Sequence, residues 1–217
     1  MDLVDIGGKL SLFYVPFLFA LCFHEYAHGL VAKWRGDTTA ERMGRLTLNP
    51  FAHADLIGTF ILPVSAIVFG IPIFFGWAKP VPVDSRNLKN VRTDMFWIAL
   101  AGPMSNIFLA LAATLFYFLS VRYGFLGGFS RAVYSLLEMF ILTNLFLALF
   151  NMIPLHPLDG GKVLARFLPT AWNYKLEQNE QMTSLILLVL VMSGALRILQ
   201  YPVYYLFESL RSLALGV

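Results

Sequence analysis

The sequence predicts an all-α polytopic membrane protein, and three observations carry that prediction. Of 217 residues, 58% are hydrophobic and 13% charged, against about 25% charged in a typical soluble domain. The mean hydropathy is +0.69. The charges are also clustered, leaving uncharged runs near the ~20 residues that a spanning helix needs. The expectation is about five to six membrane segments with short extended loops, in a single integral membrane domain over residues 1–217. Its core covers 10–165, and one or two helical segments follow over 182–217.

The first apolar run is Leu10 to Ala32, with LCFHEYAHGL in its second half. It is long enough to span and lacks a small-residue cleavage site, so it reads as a span rather than a removed leader. The second is Leu56 to Phe75, interrupted by Gly58, Pro63, Gly70 and Pro72. The third is Met95 to Ser120 and the fourth Ala132 to Ile153. Beyond them, Met182 to Ser193 is apolar but short, Gly194 interrupts, and Arg197, Glu208 and Arg211 mark a mixed tail. That stretch is either one kinked span with an amphipathic tail or two spans.

Two loops hold much of the charge. KWRGDTTAERMGRLTLNP (33–50) is polar and basic, and AKPVPVDSRNLKNVR (78–92) is basic and proline-containing. Each proline biases its predecessor away from helix, so the second loop should be extended. The single cysteine, Cys22, excludes an intrachain disulfide and a cysteine-built metal site. A net charge of +3 gives no basis for a nucleic-acid partner. It fits basic loops against an anionic lipid leaflet.

HEYAH is the feature that needs explaining. Ionisable groups at the centre of a span cost roughly 2.5–3.5 kcal/mol each on insertion scales. On a helix, His24 and His28 lie one turn apart on one face, so both imidazoles can reach one ion. Glu25 between them is placed as a general base toward a water that the metal activates. A catalytic zinc takes three protein ligands. The candidates for the third are His53, Asp55, His156 and Asp159. NMIPLHPLDGGKVL (151–164) favours Asp159, because Pro154 and Pro157 stop the fourth helix and Gly160–Gly161 permit a sharp turn. The alternative for Asp159 is capping a short helix over 160–168. His156 fits a surface or ligand-orienting place better than ligation. Asp55 suits the cap of a helix starting near Leu56. His53 either orients a ligand, contacts substrate or closes an interfacial turn. Asn106, Asn144 and Asn151 are candidates for lining a wet cleft, with interhelical hydrogen bonding favoured for the first two.

HEYAH in a first span, AGPMSN (101–106) opening a later one and N-x-x-P-x-x-P-L-D-G-G (151–161) together resemble the site-2 protease family of intramembrane zinc metalloproteases. GRLTLNPFAHADLIGT (44–59) and FGWAKPVPV (75–83) are similar to its small branch without a PDZ domain. The resemblance implies one zinc ion per chain on His24, His28 and Asp159, with Glu25 catalytic. It implies that Asn151 binds the substrate backbone, and that the substrates are single-span membrane proteins cleaved in the bilayer. The rival is a non-proteolytic metal-binding or metal-transport protein. It would want further ligands along a path, and the chain has only four histidines.

A shared ion also constrains the topology. HEYAH ends span one and Asp159 follows span four, so those spans run in the same direction. Three full crossings cannot return the chain to its starting side. The second segment is therefore expected to be a re-entrant hairpin or broken helix pair. Loops 33–55, 76–94 and 154–181 then share one side with eleven Lys and Arg, against Lys9, Arg122 and Arg131 opposite. The positive-inside rule puts that side, and the site, toward the cytoplasm of a multi-pass cell-membrane protein. The extended 78–92 segment or the strand-like GRLTLNP could pair with an unwound substrate as an added strand.

Overall fold

A computed structural model describes residues 3–70, 76–124 and 130–215. The chain is helical almost throughout, as it must be where no water satisfies backbone groups. Helix α1 spans Val4–Trp34 and α2 spans Leu56–Phe69. Next come α3 (Val91–Tyr123), α4 (Ser130–Asn151), α5 (Asp159–Ala165) and α6 (Thr170–Gln178). The chain ends in α7 (Glu180–Met192) and α8 (Gln200–Leu215). Three helices, α1, α3 and α4, are long and apolar enough to cross a membrane. Glu180–Met192 with Ala195–Leu213 makes a fourth if that pair, bent by 75°, counts as one span. The bend sits at Gly194, whose φ of +74° suits a residue without Cβ. The pair is a broken span or a re-entrant loop.

The second expected segment does not run through. Residues 71–75, its end, lie outside the described residues. Its two flanks meet: Ala54 pairs antiparallel with Ala78. Trp77 N donates to Gly58 O at 3.1 Å and Lys79 N to His53 O at 2.8 Å. The segment thus leaves and returns on one side of the bundle, as the crossing parity requires. Asp55 caps α2, accepting from Ile57 N and Gly58 N.

Helix α3 is central, packing on α1, α4, α5 and α8. Its buried stripe includes Ala99, Gly102, Asn106, Ala110 and Ala113. Small residues at this spacing let helices approach closely where apolar burial against lipid gives no drive. Ala110 and Ala113 pack on Ile141 and Leu145 of α4 and on Val203 and Phe207 of α8. Phe108, Leu111 and Leu115, on the other face, are exposed. At this level the bundle is apolar both inside and outside, the pattern suited to lipid.

Candidate metal centre

The helical repeat of α1 stacks His24 and His28 edge to face, with ring centroids 4.6 Å apart. Helix α5 brings the third group. Its capping position is Leu158, and Asp159 is its first helical residue. Asp159 is therefore not the helix cap; its carboxylate faces the histidines. Asp159 Oδ2 lies 3.0 Å from His24 Nε2 and 3.2 Å from His28 Nε2. All three side chains are buried. Two glycines make the convergence possible. A Cβ on Gly160 would collide with the carbonyls of Met152 and Ile153, where the chain turns back on the end of α4. A Cβ on Gly102 of α3 would strike the imidazoles of both histidines.

The outer ring nitrogens decide the chemistry. His24 Nδ1 sits 2.7 Å from Asn106 Oδ1, and His28 Nδ1 sits 2.6 Å from Ile98 O. Asn106 Nδ2 donates to Ala20 O and to Asn144 Oδ1, which orients the Asn106 oxygen toward His24. Both Nδ1 atoms therefore face acceptors and carry the hydrogen, leaving a lone pair on each Nε2. Those lone pairs point at a carboxylate oxygen that has no hydrogen-bond partner of its own. Three electron-rich atoms so placed repel one another unless a proton or a metal cation sits among them. Donors held 2.0–2.1 Å from a tetrahedral zinc stand about 3.3 Å apart, close to the spacing here. Among the described residues, this is the one cluster of three such side chains within 4.8 Å of one another. Two neutral imidazoles and a carboxylate suit zinc.

Glu25 lies beside this cluster, almost fully buried, and its Oε2 accepts from Val81 N at 2.8 Å. The remaining candidates are elsewhere. Asn151 ends α4 and donates from Nδ2 to Leu147 O, with no bond to the cluster. His53 is buried and pairs through Nε2 with Thr47 O. His156 is buried under Gly161, which corrects the surface option for it. Asn106 and Asn144 form the expected interhelical bond and are fully buried, so they do not line a wet cleft. GRLTLNP forms turns and bends rather than a strand; of the 78–92 segment expected to be extended, 78–84 is non-helical, whereas Ser85–Asn87 is a short 3-10 helix and α3 begins at Val91. Sequence reasoning did not identify Asn106 and Ile98 O as the partners orienting the histidines, nor Gly102 as the space they need. Gly102 and Asn106, four residues apart on one face of α3, are the signal that could have found them.

Residues 128–194 match Peptidase family M50. The chain is 36% identical over 178 residues to "Putative zinc metalloprotease YwhC" of Bacillus subtilis, covering 81% of this chain and 78% of that one. It is 27% identical over 201 residues to "Putative zinc metalloprotease Rip2" of Mycolicibacterium smegmatis, 92% of this chain and 74% of the relative. A Rip2 of the same description from Mycobacterium tuberculosis is 29% identical over 207 residues, 93% of this chain and 75% of the relative. No solved structure matches the chain.

Proposed function

The chain belongs to peptidase family M50, the site-2 proteases, and on that premise we propose that it hydrolyses peptide bonds in or near the membrane-spanning segments of membrane protein substrates. His24, His28 and Asp159 hold one zinc ion per chain. One observation carries the reading: two imidazole lone pairs and an unpartnered carboxylate oxygen converge on one point beside Glu25. When bound, the metal supplies Lewis-acid activation of water and of the scissile carbonyl.

The chain's own residues do the rest. Asn106 and Ile98 O hold the tautomer and ring orientation of the histidines through Nδ1. Glu25 takes the proton from water and passes it to the leaving amine. In this reading Asn151, at the end of α4, holds the substrate backbone. The substrates are single-span membrane proteins that reach the site from the bilayer. The chain is multi-pass in the cell membrane with the site toward the cytoplasm. Supporting that orientation, the re-entrant flanks put loops 33–55 and 76–94 on one side with eight of the Lys and Arg.

A labelled single-span substrate with a helix-destabilising residue, in proteoliposomes, tests this. Wild type should cleave it, and Glu25→Gln should lower the rate by about 10²–10⁴-fold with equal bound zinc. Stoichiometric zinc without cleavage of any such substrate would favour a metal-binding or transport protein instead.

A further inference from the structure

We propose that the backbone N–H of Val81, held in place by Asp37, positions the Glu25 carboxylate for proton transfer. The proposal rests on the protease reading above and adds a positioning residue to it.

Between Lys79 and Val83, Val81 is the only residue with a backbone N–H, because Pro80 and Pro82 flank it. That donor goes to Glu25 Oε2 at 2.8 Å. The Val81 side chain is itself buried. It lies over Gly29, one turn beyond Glu25 on α1, where a Cβ would come 3.2 Å from Val81 Cγ1. Residues far apart in sequence therefore bring one backbone donor over one carboxylate.

The segment is fixed on both sides of Val81. Upstream, Lys79 N donates to His53 O at 2.8 Å and Arg45 Nη2 donates to Lys79 O at 2.8 Å. Downstream, the anchor is Asp37, fully buried just beyond the end of α1. Its Oδ2 accepts from Asp84 N at 2.7 Å. Its Oδ1 accepts from Asn87 Nδ2 at 2.8 Å, Thr39 N at 3.0 Å and Thr39 Oγ1 at 2.5 Å. A buried carboxylate with four donors needs no further partner, so Asp37 is built to hold this loop rather than to react. It fastens loop 84–87 to the same helix that carries Glu25.

The consequence concerns rotamers. A glutamate side chain has three torsions and samples many positions unless held. With Oε2 tied to Val81 N, the other oxygen, Oε1, has a defined place from which to take the proton. Misplacing a catalytic group by about 1 Å can cost on the order of 10²-fold in rate.

The test uses the full-length protein in lipid nanodiscs. Val81→Pro removes the donor and should lower kcat by roughly 10²-fold with KM and zinc content near wild type. Asp37→Ala should lower kcat, and Asp37→Asn, which keeps an acceptor oxygen, should restore part of it. Independently of activity, hydrogen exchange in the peptide covering 77–84 should quicken in Glu25→Ala. Unchanged exchange there, or a Val81→Pro that keeps or raises kcat while wild type cleaves, overturns the proposal alone. A raised kcat would mean that the segment obstructs the site. Failure of wild type to cleave overturns the protease reading and the proposal with it.

Discussion

Two polar clusters lie along α3, one buried and one partly exposed, and they differ further in their charge. At one end stand His24, His28, Asp159 and Asn106. Toward the other end, Tyr117 of α3 donates to Glu138 Oε1 of α4 at 3.3 Å, and Arg211 Nε of α8 lies 3.6 Å from the same oxygen. Both put ionisable groups among apolar helices, where each is costly. The second cluster carries its own cation. The first has a carboxylate and two imidazoles whose outer nitrogens face acceptors, with no Lys or Arg paired to that carboxylate among the described residues. A polar cluster that balances its charge internally serves to join helices. One that does not is shaped for something the chain does not supply.

The sharpest way to break this contrast is to remove the carboxylate from each cluster. Asp159→Ala should abolish zinc binding and cleavage, as measured by metal analysis and substrate assay. Retention of both would equate the two clusters. A smaller effect is expected from Asn106→Ala, which leaves the ligands but frees the His24 ring. Zinc affinity should fall about 10–100-fold, as judged by chelator competition. Removing the ion pair with Glu138→Gln should only loosen α8. The cost should be near 0.6 kcal/mol, the average for polar contacts between membrane helices. Thermal unfolding would show it, with zinc content unchanged.

The smallest effect concerns Asp37, outside the spans. Burial pushes its carboxyl up, but hydrogen bonds from Thr39, Asn87 and the Asp84 amide outweigh that and hold it below the usual value. A carboxyl lowered by folding adds stability above its unfolded pKa, about 3.9, which is lost as pH falls through the folded value. Thermal stability should therefore include a contribution that is constant near neutral pH and declines below about pH 4. Asp37→Asn should remove that part of the decline. An identical profile in the variant would contradict the assignment.

What the sequence made legible was what is local or what a constraint reaches. His24 and His28 are four residues apart, so helical geometry alone places them together. Asp159 stood out because prolines and glycines around it forbid a continuing helix. The re-entrant second segment followed from counting crossings, and the pairing of Ala54 with Ala78 agrees with it. The interruption at Gly194 was visible in the sequence, and the chain bends there by 75°. The partners of the site were not legible for a physical reason. Ile98 acts through its carbonyl, Val81 through its N–H and Gly102 through the absence of a Cβ. None of these is a chemical feature of a side chain. Each depends on contacts across 50 residues or more of sequence. For His156, between Leu155 and Pro157, the sequence allows a surface or a ligand-orienting place, and the turn after α4 folds it inward, which excludes the first.

A metal held by His24, His28 and Asp159 is the centre of the proposed activity, and X-ray absorption at the zinc edge of the purified protein tests for it directly. The expected result is about one zinc per chain in wild type, with two imidazole nitrogens and oxygen ligands, no sulfur, and loss of the signal in Asp159→Ala. A wild-type protein without zinc, or with an environment unchanged by Asp159→Ala, would contradict it.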